Sequence, residues 1–237
     1  MVRPNDTTGR KGTAILRRHG WLSRMPVDFR DSILKGCIWQ HYEPTAALYS
    51  AGDPPGGIFG IVSGSVGFVT AKGPPDSPMA HVGHRGLWFG EPAVLTGEPR
   101  RMSVVAVTAA SVAYVPLPTL QAVLSARPEW WQHIGQLGVA IVDIVANCFA
   151  DMMIRDANQR CAAILLRLCD CRFRDGDSDI SREIVLKQNE FAAMANLSRD
   201  SVNAILQKLA GQGLVELRYG SIVVTGTKRL RKLANAG

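Results

Sequence analysis

Between Ile38 and Val115 the chain is broken by glycine and proline about every 8–12 residues, which leaves runs too short for helices. The runs are IWQHYEP, AALYSAG, GIFGIVSG, SVGFVTA, MAHVGHRG, SVVAVTA and SVAYVPL. The turns between them include Gly52-Asp53-Pro54-Pro55-Gly56-Gly57, Ser63-Gly64-Ser65 and Gly73-Pro74-Pro75-Asp76. Such a glycine load weakens helices and suits tight β corners. Evenly spaced β-branched and aromatic runs predict a sandwich or barrel over this stretch. A chain of 237 residues, 46% of them hydrophobic, has room for a second domain and enough apolar surface to bury two cores.

The flanks are helical in character. Residues 1–12 read as a flexible polar arm. Ala14–Leu22 and Val27–Gly36 read as short helices, with Trp21, Leu22, Phe29, Ile33 and Leu34 as their buried side. Pro128 opens a long helix from Glu129 to about Met152. Ile134, Leu137, Ile141, Ile144 and Cys148 fall at alternating three- and four-residue steps, an a/d seam. Trp131, Val139, Val142, Val145, Ala146 and Phe149 cover other faces, so the helix must be buried on more than one side. The economical arrangement packs one face on the β-domain and the seam on a second copy of the chain; the alternative is a helix wholly inside one domain. Ile154-Arg155-Asp156 then breaks the apolar pattern as a hinge, with Asp156 as cap of the next helix, and Gln159–Leu168 is amphipathic. Arg172–Ser181 reads as a polar loop or hairpin.

Lys187–Leu209, KQNEFAAMANLSRDSVNAILQKL, reads as two short helices joined by a tight turn. Phe191, Ala192 and Ala195 make an apolar stripe, and Ala192, Ala193 and Ala195 are small enough for a close helix crossing. Ser198 is the expected N-cap, its hydroxyl accepting a free amide of the second helix. Ser201, Val202, Ile205, Leu206 and Leu209 follow at helical spacing. The pattern is that of a helix-turn-helix, whose second helix can enter a DNA major groove, or of an ordinary αα-hairpin in a core. Gly213–Arg218 and Ser221–Thr225, joined by Tyr219-Gly220, read as a two-stranded wing behind it, and Lys228, Arg229, Arg231 and Lys232 as a basic tail helix. A formal net charge of +7 favours a polyanionic partner.

Cys37, Cys148, Cys161, Cys169 and Cys171 do not form a zinc pattern, because Cys169-x-Cys171 has no second pair at a suitable distance. No metal is expected. No apolar run reaches the roughly 18 residues of a membrane span, since Asp143 and Asn147 interrupt Gly135–Phe149. Met1–Gly12 lacks the apolar core of an export signal, so the expected location is the cytoplasm. No nucleophile–base signature points to an enzyme.

The order β-domain, long helix, hinge and winged helix resembles that of the Crp/Fnr family of bacterial transcription regulators. Gly86–Val115 is similar to the family's cyclic-nucleotide-binding cassette, through Gly90-Glu91 and the R-x-x-x-V-x-A-x-T pattern of Arg100–Thr108. Tyr49-x-x-Gly52-Asp53 and Ile61-Val62-Ser63-Gly64-Ser65-Val66 resemble two signatures of its β-roll, and Leu197–Val202 resembles the start of its recognition helix. The resemblance implies an α+β chain. A β-roll of double-stranded β-helix (jelly-roll) type for an effector spans 13–128, and a dimerisation helix spans 129–152. A hinge at 153–156 and a winged helix-turn-helix over 157–237 follow. In the family a glutamate takes the ribose hydroxyl of cyclic AMP and an Arg-Ser pair takes the phosphate, as a guanidinium fork matches phosphate oxygens. Gly90, Glu91, Arg100 and Arg101 are thus the candidate effector residues. Arg101 stands in the serine position, so the effector is expected to be a small molecule other than cyclic AMP. Arg100 and Arg101 are alternatively surface charges or ion-pair partners. No resident cofactor is expected; a cyclic nucleotide stays open as effector, and His81 and His84 leave haem open. The implied partners are double-stranded DNA with an inverted-repeat site, a second copy of the chain, and RNA polymerase. Arg199 would donate to a guanine and Asp200 accept from a cytosine, with Asn203 a further base contact. Gln188, Ser198, Ser201 and Lys208 would touch phosphates.

Overall fold

A computed structural model describes residues 6–70, 79–171 and 182–236. These form two compact units, one of residues 6–70 and 82–144, the other of residues 79–81, 145–171 and 182–236. The turn expected at Gly73–Asp76 and the loop or hairpin expected over Arg172–Ser181 lie outside the described residues.

The first unit opens with α1 (Asp6–Leu16), which corrects the expected flexible arm from Asp6 onward. Gly9 and Gly12 give this helix a flat side that meets the ring of Trp39; a Cβ at Gly12 would come within 2.5 Å of that ring. The helix expected over Ala14–Leu22 ends at Leu16, and a 3-10 turn follows at Leu22–Arg24. Between them Gly20 adopts φ 79°, a left-handed value that ends a helix. Next comes α2 (Val27–Lys35), then the strands β1 (Ile38–Tyr42), β2 (Ala47–Tyr49), β3 (Ile58–Ser63), β4 (Val66–Thr70), β5 (Met79–Gly83) and β6 (Trp88–Phe89). The short α3 (Glu91–Thr96) leads to β7 (Met102–Ala106), β8 (Ala110–Val115) and α4 (Leu117–Ala126). Of these, β6, α3 and α4 were not foreseen from the sequence; α4 carries a stripe of only two fully buried side chains, Leu120 and Leu124.

The strands make two four-stranded sheets, ordered β1-β8-β3-β6 and β2-β7-β4-β5. The run GIFGIV has no polar alternation because β3 is buried on both faces. Ile58 and Val62 face a core that holds Trp21, Leu22, Phe29, Ile33, Leu120 and Leu124 from the helices. Phe59 and Ile61 face the space between the sheets, with Val66, Phe89, Val104 and Val112. Strand β8 divides in the same way, Ala113 and Val115 to the helices, Ala110 and Val112 to the roll interior. Two inner faces of this kind make a closed β-roll.

A 3-10 turn at Pro128–Trp130 feeds α5 (Trp131–Met153). Ile134 and Leu137 are fully buried in the helix-side core, and Ile141 packs on the roll core. The seam expected to meet a second copy therefore faces the chain's own β-roll, which corrects the interface assignment of Ile134, Leu137 and Ile141. Ile144 and Cys148 are half-buried. The exposed apolar side is a second stripe, Val139, Val142, Ala146, Phe149 and Met153, also at steps of three and four. The span Pro128–Met153 is long and apolar enough to cross a membrane by length and composition, with mean hydropathy 1.5 over 18 residues. The two polar interruptions, Asp143 and Asn147, leave it apolar enough for that length, contrary to the sequence reading.

In the second unit α6 (Ala157–Leu168) is the central element, and Cys161 to Leu168 are buried without a gap. Around it stand α7 (Gln188–Ala195), α8 (Arg199–Gly211) and α9 (Thr227–Ala234). The strands β9 (Arg182–Val185), β10 (Val215–Arg218) and β11 (Ser221–Val224) form one antiparallel sheet in the order β10-β11-β9. The two-stranded wing is thus three-stranded, because Ile184 pairs opposite Ile222 across the other edge of β11.

Candidate nucleic-acid interface and effector site

Helix α7 starts at Gln188, where the Glu190 carboxylate accepts the free backbone amide of Lys187 at 2.8 Å. Phe191, Ala192, Met194 and Ala195 face inward; Ala193, expected at the helix crossing, is exposed. The helix stops at Asn196, which takes a left-handed conformation with φ 51°. Leu197 donates to the Ala192 carbonyl at 3.0 Å, which closes the turn.

Ser198 caps α8: its Oγ accepts from the Ser201 amide at 3.1 Å and lies 2.8 Å from Ser201 Oγ. From there the helix splits cleanly. Val202, Ile205, Leu206 and Leu209 are buried, while Arg199, Asp200, Ser201, Asn203 and Lys208 are exposed. Arg199 and Asp200 occupy the first turn, the end of a recognition helix that reaches base edges. Gln188 is half-buried at the start of α7.

A groove of about 510 Å³ runs between the start of α7 and the wing, and Arg199 lines it. Lys187, Asn189, Arg218 and Tyr219 line it too, and none was singled out from the sequence as a contact. Tyr219 stands fully exposed at the wing turn. The only sequence signal was that turn, Tyr219-Gly220. Arg218 donates twice to the Glu216 carboxylate, at 3.0 and 3.1 Å, and this pairing lowers the Glu216 pKa and raises that of Arg218.

In the β-roll, Gly90 takes φ 103°, and Glu91 begins α3 with its side chain 3% exposed. Burial pushes the Glu91 carboxyl pKa up to about 7, against the backbone amides and the Arg100 charge, which lower it. Its Oε2 is buried without a hydrogen-bond partner. Arg100 is also buried, but both of its terminal nitrogens are occupied. Nη1 donates to the Gly90 carbonyl at 2.9 Å and Nη2 to the Gly57 carbonyl at 2.7 Å. Its guanidinium lies over the Tyr49 ring, 4.4 Å from the centroid. The Arg100 amide donates to Asp53 O at 2.9 Å, and its carbonyl accepts from Gly52 N at 2.8 Å. One residue therefore pins the Gly52–Gly57 loop to the Gly90 turn. Arg101 is exposed. The interior beside Arg100 is filled by rings, with Phe59 stacked on Tyr114 at 4.5 Å and on Phe89 at 5.5 Å. This arrangement does not present the arginine–serine phosphate clamp of the resembled family. His81 Nδ1 lies 2.9 Å from Arg167 Nη1, a nitrogen that only donates. Among the described residues no group of three His, Cys, Asp or Glu side chains is placed to hold a metal ion.

A nucleotide-binding-type β-roll and a winged helix-turn-helix in one chain define a DNA-binding transcription regulator. Residues 39–127 match the cyclic nucleotide-binding domain, and residues 159–233 match the Crp-like helix-turn-helix domain. The chain belongs to the Crp/Fnr family. The CRP-like cAMP-activated global transcriptional regulator of Mycobacterium tuberculosis is 25% identical over 199 residues, 79% of this chain and 84% of that protein. FixK2 of Bradyrhizobium japonicum shares the fold with a TM-score of 0.69 at 18% identity, over 85% of this chain and 98% of that one. The c-di-GMP responsive global regulator CLP of Xanthomonas campestris does so with a TM-score of 0.62 at 20% identity, over 85% and 100%.

Proposed function

We propose that the chain works as a homodimer that reads an inverted-repeat DNA site and answers to a small effector bound in its β-roll. The observation that carries the DNA half is the division of α8. Its apolar residues are buried, while Arg199, Asp200 and Asn203 stand free beside the Ser198 cap. Arg199 donates to a guanine, Asp200 accepts from a cytosine amine, and Asn203 is within the same face. Gln188, Ser198, Ser201 and Lys208 hold the phosphates, with Lys187 and Tyr219 added from the groove. The dimer forms across Val139, Val142, Ala146, Phe149 and Met153 of α5. The division of labour follows the element order: β-roll over 13–128, dimer helix over 129–152, hinge at 153–156, DNA-binding domain over 157–237. The protein acts in the cytoplasm by binding DNA and RNA polymerase, and catalyses no reaction.

The effector is not cyclic AMP held in the family's manner, because Arg100 donates to the Gly90 and Gly57 carbonyls and Arg101 is turned to solvent. The same bonds favour a second reading, in which the β-roll is a ligand-free dimer scaffold and DNA binding is constitutive. Selection of duplexes from a random pool by the full-length chain, followed by footprinting, tests the DNA reading. The expected footprint has two inverted half-sites about one helical turn apart; a single unrepeated half-site overturns it. Thermal shift with cyclic nucleotides, fatty acids and small anions separates the two readings of the roll. A saturable rise in melting temperature marks a sensor, and none across the panel marks a scaffold.

A further inference from the structure

Arg160, in the first turn of α6, holds together two stretches of backbone that are far apart in the chain. Its Nη1 donates to the carbonyls of Ile154 at 2.6 Å and Arg155 at 3.3 Å, both in the segment between α5 and α6. Its Nε donates to the carbonyl of Ala195 at 2.8 Å, the last residue of α7. The last carbonyls of a helix lack helical partners, and a cation is favoured there by the helix dipole. Ala192 and Ala193 find partners in the Leu197 and Asn196 amides of the turn. Ala195 O takes Arg160 instead. Three residues later comes Ser198, the cap of α8. A planar guanidinium with donors in a rigid fork fixes the direction of such a bridge, which a flexible ammonium does not.

We propose that Arg160 is the positioning residue that sets the recognition helix against the 154–155 segment, so that the path of that segment decides where Arg199 and Asp200 are presented. The segment read from the sequence as a hinge is then the input end of a rigid connection, and Ala195 its output end. Asp156 supports the arrangement from the same turn, where its Oδ1 accepts from the Gln159 amide at 2.9 Å. A role limited to helix stability would require neither the Ile154 nor the Arg155 bond.

The proposal rests on the reading of Arg199 as a DNA contact, and its test keeps the two apart. The full-length wild type is first titrated by fluorescence anisotropy against the duplex it selects and against a scrambled duplex of equal length and salt. Loss of preference in the wild type itself would strike the DNA reading. Arg160→Gln and Arg160→Lys are then compared with it, alongside melting temperature. Arg160→Gln is expected to weaken binding to the selected duplex about tenfold while scrambled binding stays within about twofold, because phosphate contacts tolerate a misplaced helix and base contacts do not. Arg160→Lys should recover part of the preference. A selected-to-scrambled ratio equal to wild type in a folded Arg160→Gln chain overturns the proposal. Should that variant unfold, Arg160→Lys decides alone: a wild-type ratio overturns the proposal, a reduced one supports it.

Discussion

Asp151 in the last turn of α5 accepts a 2.8 Å hydrogen bond through Oδ2 from Nε of Arg167 on α6, and the two side chains are 1% and 6% exposed. Two charges this far from water are costly to separate, because removing one partner leaves the other buried and uncompensated. Asp151→Ala is expected to destabilise the second unit by about 3–5 kcal/mol, and Asp151→Leu with Arg167→Met to restore most of that loss. Urea unfolding followed in the winged-helix unit measures both. A double variant as unstable as the single one would show that the pair contributes by shape and not by charge.

Burial of Glu91 is expected to give the β-roll a pH dependence whose sign follows from its raised pKa. Its folded carboxyl pKa is pushed up to about 7 because it is buried, while the unfolded chain releases the same proton near the ordinary glutamate value of 4.5. The folded state therefore holds a proton that the unfolded state has lost across this window. Stability falls as pH rises through it and levels off above the folded pKa, for a total of about 3 kcal/mol. Glu91→Gln carries no such proton. It should match the wild type near pH 5 and exceed it near pH 8, as read from urea midpoints of the β-roll transition. Parallel midpoint curves for the two proteins would rule the idea out.

The winged helix was legible in the sequence because its determinants are local. The stripe of Phe191, Ala192 and Ala195, the Ser198 cap and the Val202–Leu209 spacing all lie within 23 residues, and each recurs in the structure. The turns and runs of the β-roll were legible for the same reason. What was misread depends on contacts distant in sequence. Helix α5 has two stripes of a/d spacing, and periodicity alone does not say which one meets the roll; Phe29 and Trp88 decide that by sharing a core with Ile134 and Leu137. Gly9 and Gly12 read as flexibility until Trp39 is seen against them. β9 needs Ile222 as a partner 38 residues away to be a strand at all. Arg100 resembled a phosphate ligand, yet its bonds run to Gly90 and Gly57, ten and 43 residues back.

The two stripes of α5 make opposite predictions for one substitution. Phe149 is 68% exposed, so Phe149→Lys should leave the fold intact and yield monomers in sedimentation equilibrium. Ile134 is fully buried, so Ile134→Lys should unfold the β-roll, since a lone charge in an apolar core costs several kcal/mol or more. A wild-type dimer from Phe149→Lys would place the interface elsewhere, whatever Ile134→Lys does.

The face of α8 and the groove beside it should separate specificity from affinity. Arg199 is placed to meet base edges, so Arg199→Ala should cost about 1–3 kcal/mol at the selected duplex and relax preference for the base pair it meets. Lys187 also lines the groove, exposed at the N-cap of α7, where its charge can face a phosphate. Lys187→Ala should weaken selected and scrambled duplexes alike, and lower the slope of log K against log salt by about one unit. Tyr219 at the wing turn carries no charge, so Tyr219→Ala should lower affinity for both duplexes and leave the salt slope unchanged. Anisotropy titrations of the three variants over a range of salt distinguish these patterns. If Arg199→Ala shows the uniform loss and altered salt slope assigned to Lys187, the first turn of α8 contacts the backbone and not the bases, and the half-site must be read by Asn203 and the residues beyond it.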